Sequence, residues 1–125
     1  VNLVLKDKKK QIGFSHAWNG IKETIKHEYN FRIHLMATFI VIICGFIFQI
    51  SMVEWMFVFF AIGLVLVTEM INSVMEAMID YLKPEYHPQA KYIKDSAAGA
   101  VLISAIIAVI IGTIIFIPSL YKLLW

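Results

Sequence analysis

The chain reads as an all-α integral membrane protein, with an amphipathic surface helix at the N-terminus followed by three transmembrane helices. Three observations predict this. Sixty per cent of the 125 residues are apolar and the mean hydropathy is +0.76, well above the roughly half-apolar make-up of a soluble domain. Apolar runs cover about 33–50, 55–80 and 96–117, each near the roughly 20 residues that a helix needs to cross the hydrocarbon. Ten of the eleven Lys and Arg residues precede the first run or separate the second from the third, leaving only Lys122 elsewhere.

Between about 10 and 30, the apolar positions Phe14, Trp18, Ile21, Ile25 and Tyr29 recur at the spacing of one helical stripe, and Lys22, Glu23 and Lys26 lie off it. Such a helix rests in the membrane interface, its aromatic face in the acyl boundary and its lysines among headgroups. The run Lys8 to Lys10 is read as a topogenic and anionic-lipid contact, and no nucleic acid is expected as a partner. No short apolar stretch with a small-residue cleavage site follows the basic start, so no cleaved signal is expected.

In the first span, Cys44 has no disulfide partner in the chain and is read as a packing residue. The third span places Ala100, Ser104, Ala108 and Gly112 at every fourth position, the pattern that lets transmembrane backbones approach closely. Trp55, Tyr121 and Trp125 fall near the outer boundaries, where amphipathic rings concentrate. Pro84 and Pro88 punctuate KPEYHPQAKYIKD, which reads as a loop leading into the third helix. The basic residues put that loop and the N-terminus in the cytoplasm, and the Ser51 to Glu54 turn and the C-terminus outside. One membrane domain accounts for residues 1–125.

The second span changes character halfway. WMFVFFAIGLVLV is wholly apolar, and then Glu69, Asn72, Ser73, Glu76 and Asp80 appear in TEMINSVMEAMID. At about 100° per residue these positions fall within an arc of roughly 100°, forming one polar stripe. Glu69 lies about 21 Å along the helix from Trp55, inside the cytoplasmic leaflet, and Asp80 about 16 Å farther, at the water interface.

An acid buried in a bilayer costs at least about 2.5 kcal/mol on insertion scales, so acids at this depth face a partner, a cavity or a metal. Hard carboxylate ligands favour Mg²⁺ that also holds substrate phosphates. Lys94 and Asp95 are at the right level to join the stripe, and Glu28 is the nearest remaining acid that could complete a metal site. Mere interhelical contacts explain three acids on half a helix poorly, and an ion or proton pathway would need polarity in the outer half, which is wholly apolar.

A site reaching from inner leaflet to cytosol suits transfer between a water-soluble donor and a lipid alcohol. Phosphoryl transfer needs a metal, a cationic group and a base to orient the nucleophile, and carboxylates with Lys94 supply those types. No Walker A sequence and no kinase-type glycine-rich loop is present. An integral-membrane lipid phosphatase needs several arginines, whereas this chain has one, Arg32.

E-x-x-N-x-x-x-E-x-x-x-D in the second span, followed by A-K-x-x-K-D-x-A-A-G-A-V-L entering the third, resembles the prokaryotic diacylglycerol kinase family. The likeness runs from FSHAWNGIK and EYNFRIHL to the end of that motif. Within the family, NFRIHL, YHP-x-A-K and KD-x-AAGAVL look like the Gram-positive branch, whose members act as undecaprenol kinases. The resemblance implies a homotrimer with composite sites between subunits, in the bacterial cell membrane, phosphorylating a lipid alcohol of the inner leaflet with Mg²⁺ and ATP. Undecaprenol is the expected acceptor and diacylglycerol the alternative. Glu69 would be the catalytic base, and Glu28 with Glu76 the ligands of the Mg²⁺ that carries ATP. Asn72 would position reactants, and Lys94 would contact the phosphates. Asp95, the Glu85, Tyr86 and His87 segment, and His16 would line the nucleotide site, with Asp80 and Arg32 in support.

The sequence also departs from the proteobacterial branch. His16 stands where that branch has a tyrosine, Lys9 where it has an arginine, and Ala98 where it has a serine. His27 and His34 read as interfacial side chains rather than ligands, since no metal-binding spacing accompanies them.

Overall fold

The computed structural model describes residues 13–125; Lys8 to Lys10, Lys9 included, lie outside the described residues. All regular structure among the described residues is helical, in the order α1 (Gly13–His27), α2 (Tyr29–Ile47), α3 (Met52–Leu82) and α4 (Pro88–Leu124). The last three are long and apolar enough to cross a membrane, which makes the chain a multi-pass membrane protein.

The apolar spacing of the first segment runs on through Tyr29, but the helix does not. Glu28 takes an extended conformation (φ −105°, ψ 108°) and restarts the chain as the N-cap of α2. Arg32 fastens this corner, donating from one guanidinium nitrogen to the carbonyls of Ile25 at 3.0 Å and Lys26 at 2.8 Å. Those carbonyls belong to the last turn of α1, where unpaired acceptors and the negative end of the helix dipole favour a cation. Phe14 and Trp18 stay exposed along α1, free for the lipid interface that their spacing predicts.

At the far end, α2 stops where Gln49 adopts a left-handed φ of 51°. The next helix opens on a reciprocal cap. Ser51 Oγ accepts from the Glu54 backbone N–H at 3.2 Å, and the Glu54 carboxylate accepts from the Ser51 N–H at 2.9 Å. Ile50, Val58 and Ile115 form the buried core here, with Trp55 and Phe116 packed around it. Trp55, read from the sequence as a boundary anchor, lies between Phe46 and Phe59 at ring-centroid distances of 5.0 and 5.4 Å. Its ring also covers Gly45 so closely that a Cβ there would come within 2.5 Å.

After Lys83, Pro84 ends α3, and only five residues, 83–87, separate the long helices. The segment read as a loop up to residue 95 is therefore mostly helix. Proline is tolerated at the first helical position, where its missing N–H would be unpaired anyway. His87 caps the end by accepting the Gln89 N–H on Nδ1 at 3.1 Å. Ser104, within the small-residue stripe of α4, is buried and turns its hydroxyl onto the Ala100 carbonyl at 3.0 Å, whereas Gly112 on the same stripe has open space before it. The apolar core thus occupies the α2–α3 turn end, leaving the opposite half of the bundle to polar side chains.

Candidate active site

Along one face of α3, exposure rises step by step toward the α3–α4 connection. Glu69, Asn72 and Ser73 are buried at 3%, 6% and 7% exposure, Glu76 is half-buried, and Asp80 is exposed. Hydroxyls on this stretch are satisfied within the helix. Ser73 donates to the Glu69 carbonyl at 3.0 Å, and Thr68 to that of Leu64 at 2.8 Å. The amides and acids are less complete. Asn72 donates from Nδ2 to Glu76 Oε1 at a long 3.4 Å, while its Oδ1 is buried with no hydrogen-bond partner. A buried acceptor without a donor costs desolvation energy, so it signals a site shaped for something else.

Other elements bring further groups to the stripe. The α1–α2 corner places Glu28, half-buried, near enough that its charge, like that of Glu76, acts on Glu69. From α4, Lys94 reaches across and donates from Nζ to Asp80 Oδ1 at 2.8 Å. His34 on α2 turns Nε2 toward Glu69 Oε2 at 3.8 Å. Sequence reasoning set this histidine aside, because nothing in its spacing links it to an acid on another helix.

Not every expected residue joins this cluster. Asp95 pairs with Lys91 one turn away on its own helix, and Glu85 with Lys83 at 3.3 Å. Tyr86 is exposed, and His87 is engaged as the cap of α4. His16 sits exposed on α1, and Arg32 fastens the corner that carries Glu28.

For a divalent cation the donor set fits a site shared with phosphate. Among the described residues no three acids, histidines or cysteines converge into a ready-made cage. A Mg²⁺ that rides on a nucleotide takes only one or two carboxylates, with phosphate oxygens and waters for the rest. Glu28 and Glu76 are the two carboxylates that would serve such an ion, and Asn72 Oδ1 is a further oxygen left without a partner.

A sequence profile of the prokaryotic diacylglycerol kinases matches residues 15–116, nearly the whole described chain. The chain belongs to that family. It is a lipid kinase, and the family's chemistry draws its phosphoryl group from ATP. The undecaprenol kinase of Bacillus subtilis is 45% identical over 86% of this chain and 87% of its own length. A diacylglycerol kinase of Synechocystis is 33% identical over 90% of this chain and 65% of its own. The diacylglycerol kinase of Escherichia coli K12 is 29% identical over 76% and 78%. The matched region contains Glu28, the whole α3 stripe and Lys94, so the kinase resemblance and the site geometry concern the same residues.

Proposed function

We propose that the chain transfers the γ-phosphoryl group of Mg-ATP to the hydroxyl of undecaprenol at the inner face of the bacterial cell membrane, giving undecaprenyl phosphate. The observation that carries this is the fall in burial from Glu69 to Asp80 along one helix face. A single stripe reaches from hydrocarbon depth to water, as a reaction joining a membrane-dissolved alcohol to a water-soluble nucleotide requires. The 45% identity to an undecaprenol kinase favours that acceptor over diacylglycerol.

In this reading Glu69, the most buried acid, is the base that takes the proton of the lipid hydroxyl. Lowering the cost of deprotonation at the moment of attack contributes typically 10²- to 10⁴-fold, about 3–5 kcal/mol. Glu28 and Glu76 hold Mg²⁺, which when bound neutralises phosphate charge. Asn72 directs Oδ1 at the reactants. Lys94 turns from Asp80 to the nucleotide phosphates, which are stronger anionic partners. Asp95, Glu85, Tyr86, His87 and His16 line the nucleotide side, and Arg32 supports the Glu28 corner.

The same reading includes a homotrimer, which is supported by the large apolar faces that one protomer leaves uncovered on all three spans. The distribution of Lys and Arg favours a cytoplasmic N-terminus and active site and an outer C-terminus. The test is Mg²⁺-dependent transfer of labelled γ-phosphate to undecaprenol and diacylglycerol, side by side in one micelle system. Preference for undecaprenol is the expected result; preference for diacylglycerol would keep the mechanism and change the acceptor. Transfer to neither by folded protein would overturn the proposal.

A further inference from the structure

Two acids act on Glu69, and among the described residues one counter-group stands beside it. On its own helix it faces Glu76, and from the α1–α2 corner it faces Glu28. On α4, Lys94 and Asp95 are taken up by Asp80 and Lys91. From α2, the His34 imidazole stands with Nε2 3.8 Å from Glu69 Oε2, the histidine side chain 25% exposed and the glutamate 4%. A carboxylate withdrawn from water needs a donor, and its cost rises when its other neighbours are also anions. Among the described residues, His34 is the side chain paired with it.

We propose that His34 is a positioning residue for the catalytic base. Its Nε2–H is donated to Oε2 of Glu69 and leaves Oε1 directed at the lipid hydroxyl. This rests on the reading of Glu69 as the base. The 3.8 Å separation is longer than a hydrogen bond, and such contacts commonly tighten only when substrate is bound.

The imidazole is half-buried, and the following turn is pinned by Thr38, whose hydroxyl donates to the His34 carbonyl at 2.8 Å. Its ring also lines an apolar cavity of about 490 Å³ between α2, α3 and α4, walled by Val65, Ala105 and Ala108 among others. Val65 is one turn from Glu69 on the same face of α3. His34 therefore borders both the base and this apolar space.

During transfer the hydroxyl proton passes to Glu69 Oε1. The lipid oxygen forms its bond to the γ-phosphorus, and the bond from that phosphorus to the bridging oxygen breaks. ADP leaves with the electron pair, and His34 keeps its own proton throughout.

The experiment compares His34→Leu and His34→Gln in the wild-type and Glu69→Gln backgrounds, in micelles, with thermal unfolding as the folding control. His34→Leu should lower kcat about tenfold or more while leaving KM for ATP unchanged. The acid limb of its pH profile should move to higher pH, since a donor to the charged form is lost. His34→Gln retains an N–H donor and should recover much of the rate, which keeps the test decisive even where the leucine variant folds poorly. With Glu69 already replaced, removing His34 should cost nothing further. A pH-independent loss, or an equal loss in the Glu69→Gln background, would overturn the proposal and leave the base assignment standing. Full turnover of Glu69→Gln alone would instead remove the base reading itself.

Discussion

Lys94 on α4 donates a 2.8 Å hydrogen bond to Asp80 on α3, tying the two longest helices together at the exposed end of the acidic stripe. Asp80 is 64% exposed and Lys94 37%, so solvent screens the pair and its share of stability is small. Its consequence is placement: the ammonium is held over the water-facing rungs, where nucleotide phosphates would arrive.

Lys94→Ala should therefore raise KM for ATP about tenfold or more, because a charge-assisted phosphate contact is lost, with little change in thermal midpoint. Asp80→Asn should raise it much less, since the lysine remains. Steady-state kinetics at varied ATP check this, and equal effects of both substitutions would count against a phosphate role for Lys94.

Asn72 offers a case in which stability and activity part company. Its Oδ1 is buried without a donor, so an apolar replacement removes a desolvation cost. Asn72→Leu should unfold no earlier than wild type yet lose turnover about tenfold or more, as expected when a reactant-positioning group is removed. Parallel losses of both would make Asn72 a packing residue.

Arg32 donates to two carbonyls at the end of α1, which fixes where Glu28 enters the site. Because one guanidinium nitrogen makes both bonds, Arg32→Lys, whose ammonium carries three donors, should keep much of the function that Arg32→Ala loses. Arg32→Ala should raise the Mg²⁺ concentration needed for half-maximal rate, read from titrations at fixed ATP, and Arg32→Lys should raise it less. An unchanged Mg²⁺ requirement would separate the corner from the metal site.

At the other end of the bundle, Gly45→Ala places a methyl against the Trp55 ring, which Phe46 and Phe59 hold in place. Overpacking of this kind costs about 1–3 kcal/mol. Thermal unfolding in micelles should show the loss, with KM for ATP unaltered because the nucleotide end is remote.

The residues that helical periodicity alone makes legible are those sharing one helix. Glu69, Asn72, Glu76 and Asp80 declare themselves through a 3.6-residue period within α3, and their depth follows from helical rise. Side chains brought together from different helices carry no such signal, so His34 meets Glu69 only once α2 and α3 are packed. The break at Glu28 was hidden for a related reason: Tyr29 continues the apolar spacing, while the turn depends on Arg32 closing the carbonyls behind it. Likewise, the polar segment before residue 95 looks like a loop by hydropathy, yet Pro88 at the first helical position and the His87 cap start α4 there.

The central claim is that Glu69, buried at the lipid end of the stripe, deprotonates the acceptor. Its most direct test is single-turnover transfer of labelled phosphate from Mg-ATP to undecaprenol by Glu69→Gln protein that binds ATP normally. The account predicts a loss of about a hundredfold or more, within the range of a general base, with nucleotide affinity unchanged. Transfer at the wild-type rate by folded, ATP-binding Glu69→Gln would contradict it.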